Sequence, residues 1–351
     1  DGVPAAFDAG APRSQAGEFA ALASPVLAEF LLRPAAARLG IRLIPAAEVE
    51  VSRLGNRFNL VQQLKWVRAI SDAGIETVYL KGFANAHTLY PEPELRTVGD
   101  LDLLIRRHDL DRLIAHLAGQ GFRFRVSQVN RWGSISDASF MPFVSADGSC
   151  NLDIHVEPDC YPAHRSLNAA ALFNGASEVE ADGFRFRVPC PEHVLVLCVT
   201  NAAKDKFGIF SVRKVIDALV LLRAGGALDW DAIAALARDG GYLKPLRVFL
   251  CLLQSLGLSG AGIPAPLLRH PGGLAGPEFG RVIAEFNGMF PYIPPLFATL
   301  RRELLLCTEP GVGVHNFGLR LRGLFRPGTG LPAGVSPRTG LPHSPHARRE
   351  F

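Results

Sequence analysis

No Cys-x-x-Cys pair occurs among the six cysteines of this 351-residue chain, at 150, 160, 190, 198, 251 and 307. No pair of histidines accompanies them at the usual zinc-binding spacing, so neither a structural zinc site nor a disulfide framework is expected, and the thiols read as reduced and mostly buried, as in a cytoplasmic protein. The first residues lack a basic region followed by an apolar core and a cleavage site, so no signal peptide is visible. They also lack an initiating Met, which reads as a chain whose own start lies before Asp1. The longest uncharged run, Val248 to Leu268, is interrupted by Gln254, Ser255, Gly257, Gly260, Gly262, Pro264 and Pro266. It reads as a buried helix ending in a loop and not as a membrane span. A broad basic surface is missing too. Residues 318–351 carry six arginines and one glutamate, so the formal charge of +4 leaves about −1 for everything before them. The body of the protein is therefore not a general nucleic-acid binder.

What is present is a globular composition, 48% hydrophobic, in a chain long enough for more than one core, since single cores stop growing near roughly 250 residues. Residues 1–20 read as a flexible segment rich in Ala and Gly. Helices are expected near 24–38 and from Asn59 to Asp72, where Leu60, Val61, Leu64, Val67 and Ile70 recur at helical spacing before Gly74. A short strand over Glu76–Leu80 leads through Lys81-Gly82 into a helix closed by Pro91 and Pro93. After a strand around residue 102 comes an amphipathic helix over Asp109–Ala118, then strand candidates at Phe122–Val129, Ser139–Val144 and Cys150–Val156. From Pro191 the pattern turns helical, with stretches at 191–204, 209–222, 229–237 and 243–256. These expectations give an α+β fold over 21–190, a helical domain over 191–309, and a Gly/Pro/Arg-rich tail over 310–351 expected to be disordered.

The chemistry gathers in Val98-Gly-Asp-Leu-Asp-Leu-Leu-Ile105. On a strand, alternate side chains share a face, so Asp100 and Asp102 would project together while Leu101 and Leu103 enter the core. Like charges that close repel unless a cation sits between them, and carboxylate oxygens suit Mg²⁺, with Mn²⁺ as an alternative. In Cys150-Asn-Leu-Asp-Ile-His-Val156, Asp153 and His155 share one face. A neighbouring strand could bring Asp153 beside the first pair, and three carboxylates would hold two metals, one on nucleotide phosphates and one activating a hydroxyl. Asp153 is then the candidate general base. Gly82 would let phosphate approach backbone N–H groups at the start of a helix, Lys81 would add a point charge, and Arg96 would reach a triphosphate or pair structurally with Glu94 or Asp100. His155 reads equally as a supporting residue of the site and as a hydrogen-bonded structural histidine.

Leu80-Lys-Gly-Phe-Ala, Leu95-Arg-Thr-Val-Gly-Asp-Leu-Asp-Leu-Leu, Leu152-Asp-Ile-His, Asn201-Ala-Ala-Lys and Val212-Arg-Lys-Val-Ile-Asp217 together resemble a predicted nucleotidyltransferase family of the DNA polymerase beta superfamily, over roughly residues 58–257. The resemblance implies a small mixed sheet with flanking helices carrying Asp100, Asp102 and Asp153, two Mg²⁺ ions, and transfer of a nucleoside monophosphate from an NTP such as ATP to a hydroxyl acceptor. Where superfamily members carry Gly-Ser at the turn, this chain has Lys81-Gly82. The resemblance also marks out Lys204 as a further nucleotide contact, and Arg213 with Asp217, whose four-residue spacing reads first as an intrahelical ion pair. The acceptor is open between a small molecule, a peptide and a protein. A silent nucleotide- or partner-binding module and an antitoxin-like protein nucleotidyltransferase are the other readings.

Overall fold

The computed structural model describes residues 12–40, 42–124, 142–259, 262–288 and 296–325. Helices α1 (Pro12–Ala23) and α2 (Pro25–Leu39) precede the long α3 (Ala46–Asp72). Then come β1 (Thr77–Tyr79), α4 (Lys81–Leu89), β2 (Leu101–Ile105), α5 (Leu110–Gly119), the short strands β3 (Arg123–Phe124) and β4 (Phe143–Val144), and β5 (Asn151–His155). After α6 (Ala169–Asn174) and a hairpin of β6 (Ser177–Ala181) and β7 (Phe184–Val188), the chain is helical: α7 (Pro191–Lys204), α8 (Val212–Arg223), α9 (Trp230–Asp239), α10 (Leu243–Ser255), α11 (Ala275–Asn287), α12 (Leu296–Arg302) and α13 (Pro310–Phe325).

The strands form one mixed sheet in the order β3-β4-β5-β2-β1-β7-β6. β1 runs antiparallel to β2 and parallel to β7, while β2 runs parallel to β5. Every residue of β2 is buried, so both faces of the sheet centre are covered. Leu101, Leu103 and Ile105 pack with Leu64, Val67 and Ile70 of α3 and Leu113 of α5 on one face. On the other, Val78, Leu80 and Leu104 share an apolar cluster with Leu195 and Val199 of α7 and Phe249 of α10. Each such aliphatic side chain contributes about 1.5–3 kcal/mol on burial. The helical part is thus the second cover of the sheet.

Several elements depart from the sequence reading. The β6–β7 hairpin has no counterpart in it, although Asp182 and Gly183 occupy the turn at φ 49° and 72°, the left-handed pair that two-residue hairpins require. α1 lies partly in the stretch expected to be loose: its small Ala16, Ala20 and Ala23 let it pack closely, in one cluster with Val26 and Leu27 of α2 and Val212 and Ile216 of α8. α3 begins at Ala46, well before Asn59, because its first half is a largely exposed helix whose Val51, Leu54 and Phe58 face solvent. α13 orders 310–325, the first part of the expected tail, with Val312 and Asn316 buried. Its Gly313 has a packing reason, since a Cβ there would come to 3.0 Å from Leu304 Cδ2. The remaining expected tail, residues 1–11, and the central part of the predicted strand candidates between 125 and 141 lie outside the described residues. Cys150, Cys198, Cys251 and Cys307 are buried, and none of the six cysteines forms a disulfide among the described residues. Among the described residues no helix is long and apolar enough to cross a membrane.

The loop from Tyr90 to Asp100 is fixed from two sides. Asp217, buried on α8, accepts from Arg96 Nε at 2.7 Å and Arg96 Nη2 at 2.9 Å, from the Tyr90 hydroxyl at 2.7 Å and from Asn85 Nδ2 at 2.9 Å. On the other side α3 presents Asn56, Asn59 and Gln63, one helical stripe, whose amides donate to the carbonyls of Glu94, Val98 and Gly99 at 2.8, 3.4 and 3.2 Å. Removing one partner of a buried ion pair strands the other, at about 3–5 kcal/mol, whereas replacing both with apolar groups is far less costly. Asp217→Ala should therefore lower the unfolding free energy in urea by about that amount. An Arg96→Met, Asp217→Leu double variant should lose clearly less than Asp217→Ala alone.

Candidate active site

The parallel pairing of β2 with β5 sets Asp102 directly opposite Asp153 and Leu104 opposite His155. Because side chains alternate along a strand, the two aspartates and His155 fall on the same face of adjacent strands. One ligand atom from each of Asp102, Asp153 and His155 lies within 4.8 Å of the others. Asp102 is 3% exposed and His155 2%. The Asp153 side chain is 20% exposed and forms the open side of the group. His155 Nε2 stands 3.1 Å from Asp102 Oδ1 and 3.2 Å from Asp153 Oδ2, while its buried Nδ1 has no hydrogen-bond partner among the described residues. Two carboxylates and an imidazole form a donor set that suits a divalent cation.

Lys81 supplies the nearest positive charge. It opens α4 directly after β1, and Leu80 donates its N–H to the Asp102 carbonyl at 2.9 Å. The residue carrying the left-handed backbone of this turn is Lys81, at φ 50°, and not Gly82. A non-glycine residue held there costs about 1–2 kcal/mol. A Cβ at Gly82 would meet nothing closer than Val98 Cγ1 at 3.6 Å, so packing does not require glycine, and the space at this helix start stays free. The Lys81 ammonium reaches Asp102 Oδ1 at 2.5 Å, His155 Nε2 at 3.5 Å and Asp153 Oδ2 at 3.9 Å. Burial alone would raise the Asp102 carboxyl, but the Lys81 charge and the His155 hydrogen bond hold it far below the ordinary carboxylate range. Burial and the Lys81 charge oppose a proton on His155; its hydrogen bonds to the two carboxylates outweigh them and raise its pKa.

Asp100 is exposed at the mouth of β2, one residue before the strand, and stays outside the three-residue group. Although its surface is open to solvent, the surrounding protein partly desolvates its carboxyl, and with the charges of Asp102 and Asp153 this raises its pKa, as expected of a carboxylate added to a negative site. The partner of Asp217 is not the arginine that the sequence suggests. Arg96 is buried, with both nitrogens of its fork on Asp217, and burial is outweighed by that carboxylate in keeping it charged. Its structural partner is thus neither Glu94 nor Asp100. Arg213, expected to pair with Asp217, makes no hydrogen bond or ion pair among the described residues. It is exposed in the first turn of α8 and lines a cavity of about 380 Å³ with Thr97, Glu48 and the α1–α2 turn. The available signal was its position off the apolar stripe of α8. Lys204, at the end of α7, pairs with buried Asp159 at 2.8 Å and is close enough to Lys81 to oppose its charge.

Residues 46–257 match a family described as uncharacterised nucleotidyltransferase. The chain belongs to that family. This nucleotidyltransferase is accordingly an enzyme that transfers nucleotidyl groups, and its Asp102, Asp153 and His155 form a group able to hold a metal. No curated protein matches the chain.

Burial would raise the Asp159 carboxyl, but the Lys204 charge and several hydrogen bonds lower it below its ordinary value. The unfolded chain therefore takes up this proton first on acidification. The stability that the ionised group gives is full above about pH 4 and is lost as pH falls through its native pKa. The difference in urea-unfolding free energy between the natural protein and Asp159→Asn should be constant near neutrality and shrink below about pH 4.

Proposed function

We propose that the protein transfers a nucleoside monophosphate from an NTP, in the first place ATP, to a hydroxyl of a small molecule, peptide or protein, with release of pyrophosphate. The observation that carries this reading is the register Asp102–Asp153 across parallel strands, with His155 on the same face and Lys81 above it. Asp102 and Asp153 would hold Mg²⁺ or Mn²⁺, with Asp100 joining from the strand mouth and His155 as a further donor; when bound, the metal neutralises phosphate oxygens and makes a hydroxyl more acidic. Two ions fit the charge of three carboxylates.

Asp153, the more accessible of the two strand carboxylates, takes the proton of the acceptor hydroxyl. The hydroxyl oxygen forms its bond to the α-phosphorus as the bond from that phosphorus to the bridging oxygen breaks, and the electron pair leaves on pyrophosphate. The first turn of α4, with Gly82 leaving room for close approach, presents backbone N–H groups to phosphate. Lys81 contributes one positive charge and Arg213, exposed in the first turn of α8, a second. Lys204, paired with Asp159, adds positive charge near Lys81. Arg96 serves the site by holding the loop that ends in Asp100.

Calorimetric titration with ATP and then the other NTPs, with and without Mg²⁺, tests the reading directly. Binding should require the metal and disappear in a folded Asp100→Asn, Asp102→Asn variant; a folded natural protein that binds no NTP would sink it. Hydrogen bonds to charged groups contribute about 1.5–3 kcal/mol, so Arg213→Ala should weaken NTP binding by roughly tenfold or more while changing stability by less than about 0.5 kcal/mol. Arg96→Ala should do the reverse, lowering stability first.

A further inference from the structure

Lys81 occupies the position from which a cation would serve all three members of the group. Its ammonium faces Asp102, His155 and Asp153, the same three side chains that are mutually placed to hold a metal. These are its hydrogen-bonding and ionic partners among the described residues, and the left-handed φ of 50° belongs to the residue that directs the side chain there. His155 and Asp102 are fixed by burial, with side chains 2% and 4% exposed, whereas the Lys81 side chain is 28% exposed and its four-carbon stem is flexible. Of the charged groups here it has both a way out and the freedom to take it.

We propose that the Lys81 ammonium is the resident counter-ion of the Asp102–Asp153 pair and that a divalent cation must displace it to bind, so that lysine and metal compete for the same carboxylates. This rests on the nucleotidyl-transfer reading above, and it gives Lys81 two successive partners: the carboxylates before metal enters and the polyphosphate after. In the metal-free protein the lysine neutralises a charge pair that burial would otherwise penalise. In the loaded protein its release would put a positive charge at the mouth of the site as the phosphates arrive. A lysine that were simply a fixed phosphate contact would have no reason to touch both carboxylates, and one that were only a structural ion-pair partner would not yield to a metal.

The experiment is a titration of the full chain with Mn²⁺ alone, following free Mn²⁺ by electron paramagnetic resonance, for the natural protein and for Lys81→Met, Lys81→Gly and Asp102→Asn. Lys81→Gly suits the left-handed backbone and guards against a folding defect in Lys81→Met. Both lysine variants should bind Mn²⁺ at least roughly tenfold more tightly than the natural protein, and Asp102→Asn should bind far more weakly. Mn²⁺ should also raise the unfolding temperature of the lysine variants more than that of the natural protein, because the metal restores a counter-ion they lack. Equal or weaker Mn²⁺ binding by both lysine variants, with Asp102→Asn still impaired, would overturn the competition and leave the metal centre standing. Absence of Mn²⁺ binding from every folded protein in the set would remove the metal centre and the competition together.

Discussion

Asp102 and Asp153 facing each other across β2 and β5 set a condition that the rest of the structure has to meet. Two carboxylate oxygens within 4.8 Å repel by about 3–4 kcal/mol at an effective dielectric constant near 20, and burial of Asp102 adds a desolvation cost to that. A fold that placed this pair in register without positive charge would drive a proton onto one of them. Here two elements supply the charge: α4 through Lys81, immediately after β1, and β5 itself through His155, two residues beyond Asp153. The carboxylates, the lysine and the histidine therefore form one electrostatic unit, and the left-handed Lys81 is a local strain set against it.

The second constraint is positional. A strand fixes Asp102, but Asp100 precedes the strand and depends on what holds the loop behind it. That loop is pinned by a fully engaged Asp217 on one side and by the amide stripe of α3 on the other. The two supports differ in physics. Neutral amide-to-carbonyl hydrogen bonds contribute about 1 kcal/mol each, whereas the Arg96–Asp217 pair is costly to break from one side. Orientation of the loop thus comes from several weak bonds, and its attachment to the helical part comes from one strong point.

Much of the fold was legible because the core strands and helices carry a clear period. The strands around Asp102 and Asp153, the Lys81-Gly82 turn into α4, and the helices from Pro191 onward follow from alternation, apolar stripes and proline positions alone. The β6–β7 hairpin carried its own sign in Asp182-Gly183 between alternating residues, and its half-exposed strands made the alternation less apolar than in the core. α1 and α13 were hidden for another reason: Ala and Gly read as weak packing residues, yet close helix contact uses just their small size, as Gly313 shows against Leu304. At the site, strand periodicity brought Asp153 beside Asp102, but it could not say which of two arginines would meet Asp217. That choice is tertiary. A four-residue spacing on α8 favours Arg213 by a few tenths of a kcal/mol, about 0.2–0.5, while the bidentate approach of Arg96 from a separate loop, reinforced by Tyr90 and Asn85, is worth several times more once buried.

The outcome of that competition decides the character of the cleft. Had Asp217 been taken by Arg213, Arg96 would have been released near Asp100, and the loop would have lost its attachment to α8. With Arg96 committed to Asp217, Arg213 in the first turn of α8 is the exposed arginine of the two, with neither a hydrogen bond nor an ion pair among the described residues. The sheet thus contributes the two carboxylates and the imidazole of the group, and α4 contributes the lysine that faces them. Val78, Leu80 and Leu104 of the sheet segment share one apolar cluster with Leu195 and Val199 of α7 and Phe249 of α10, so separating the sheet from its helical cover would expose the core directly beside Asp102 and His155.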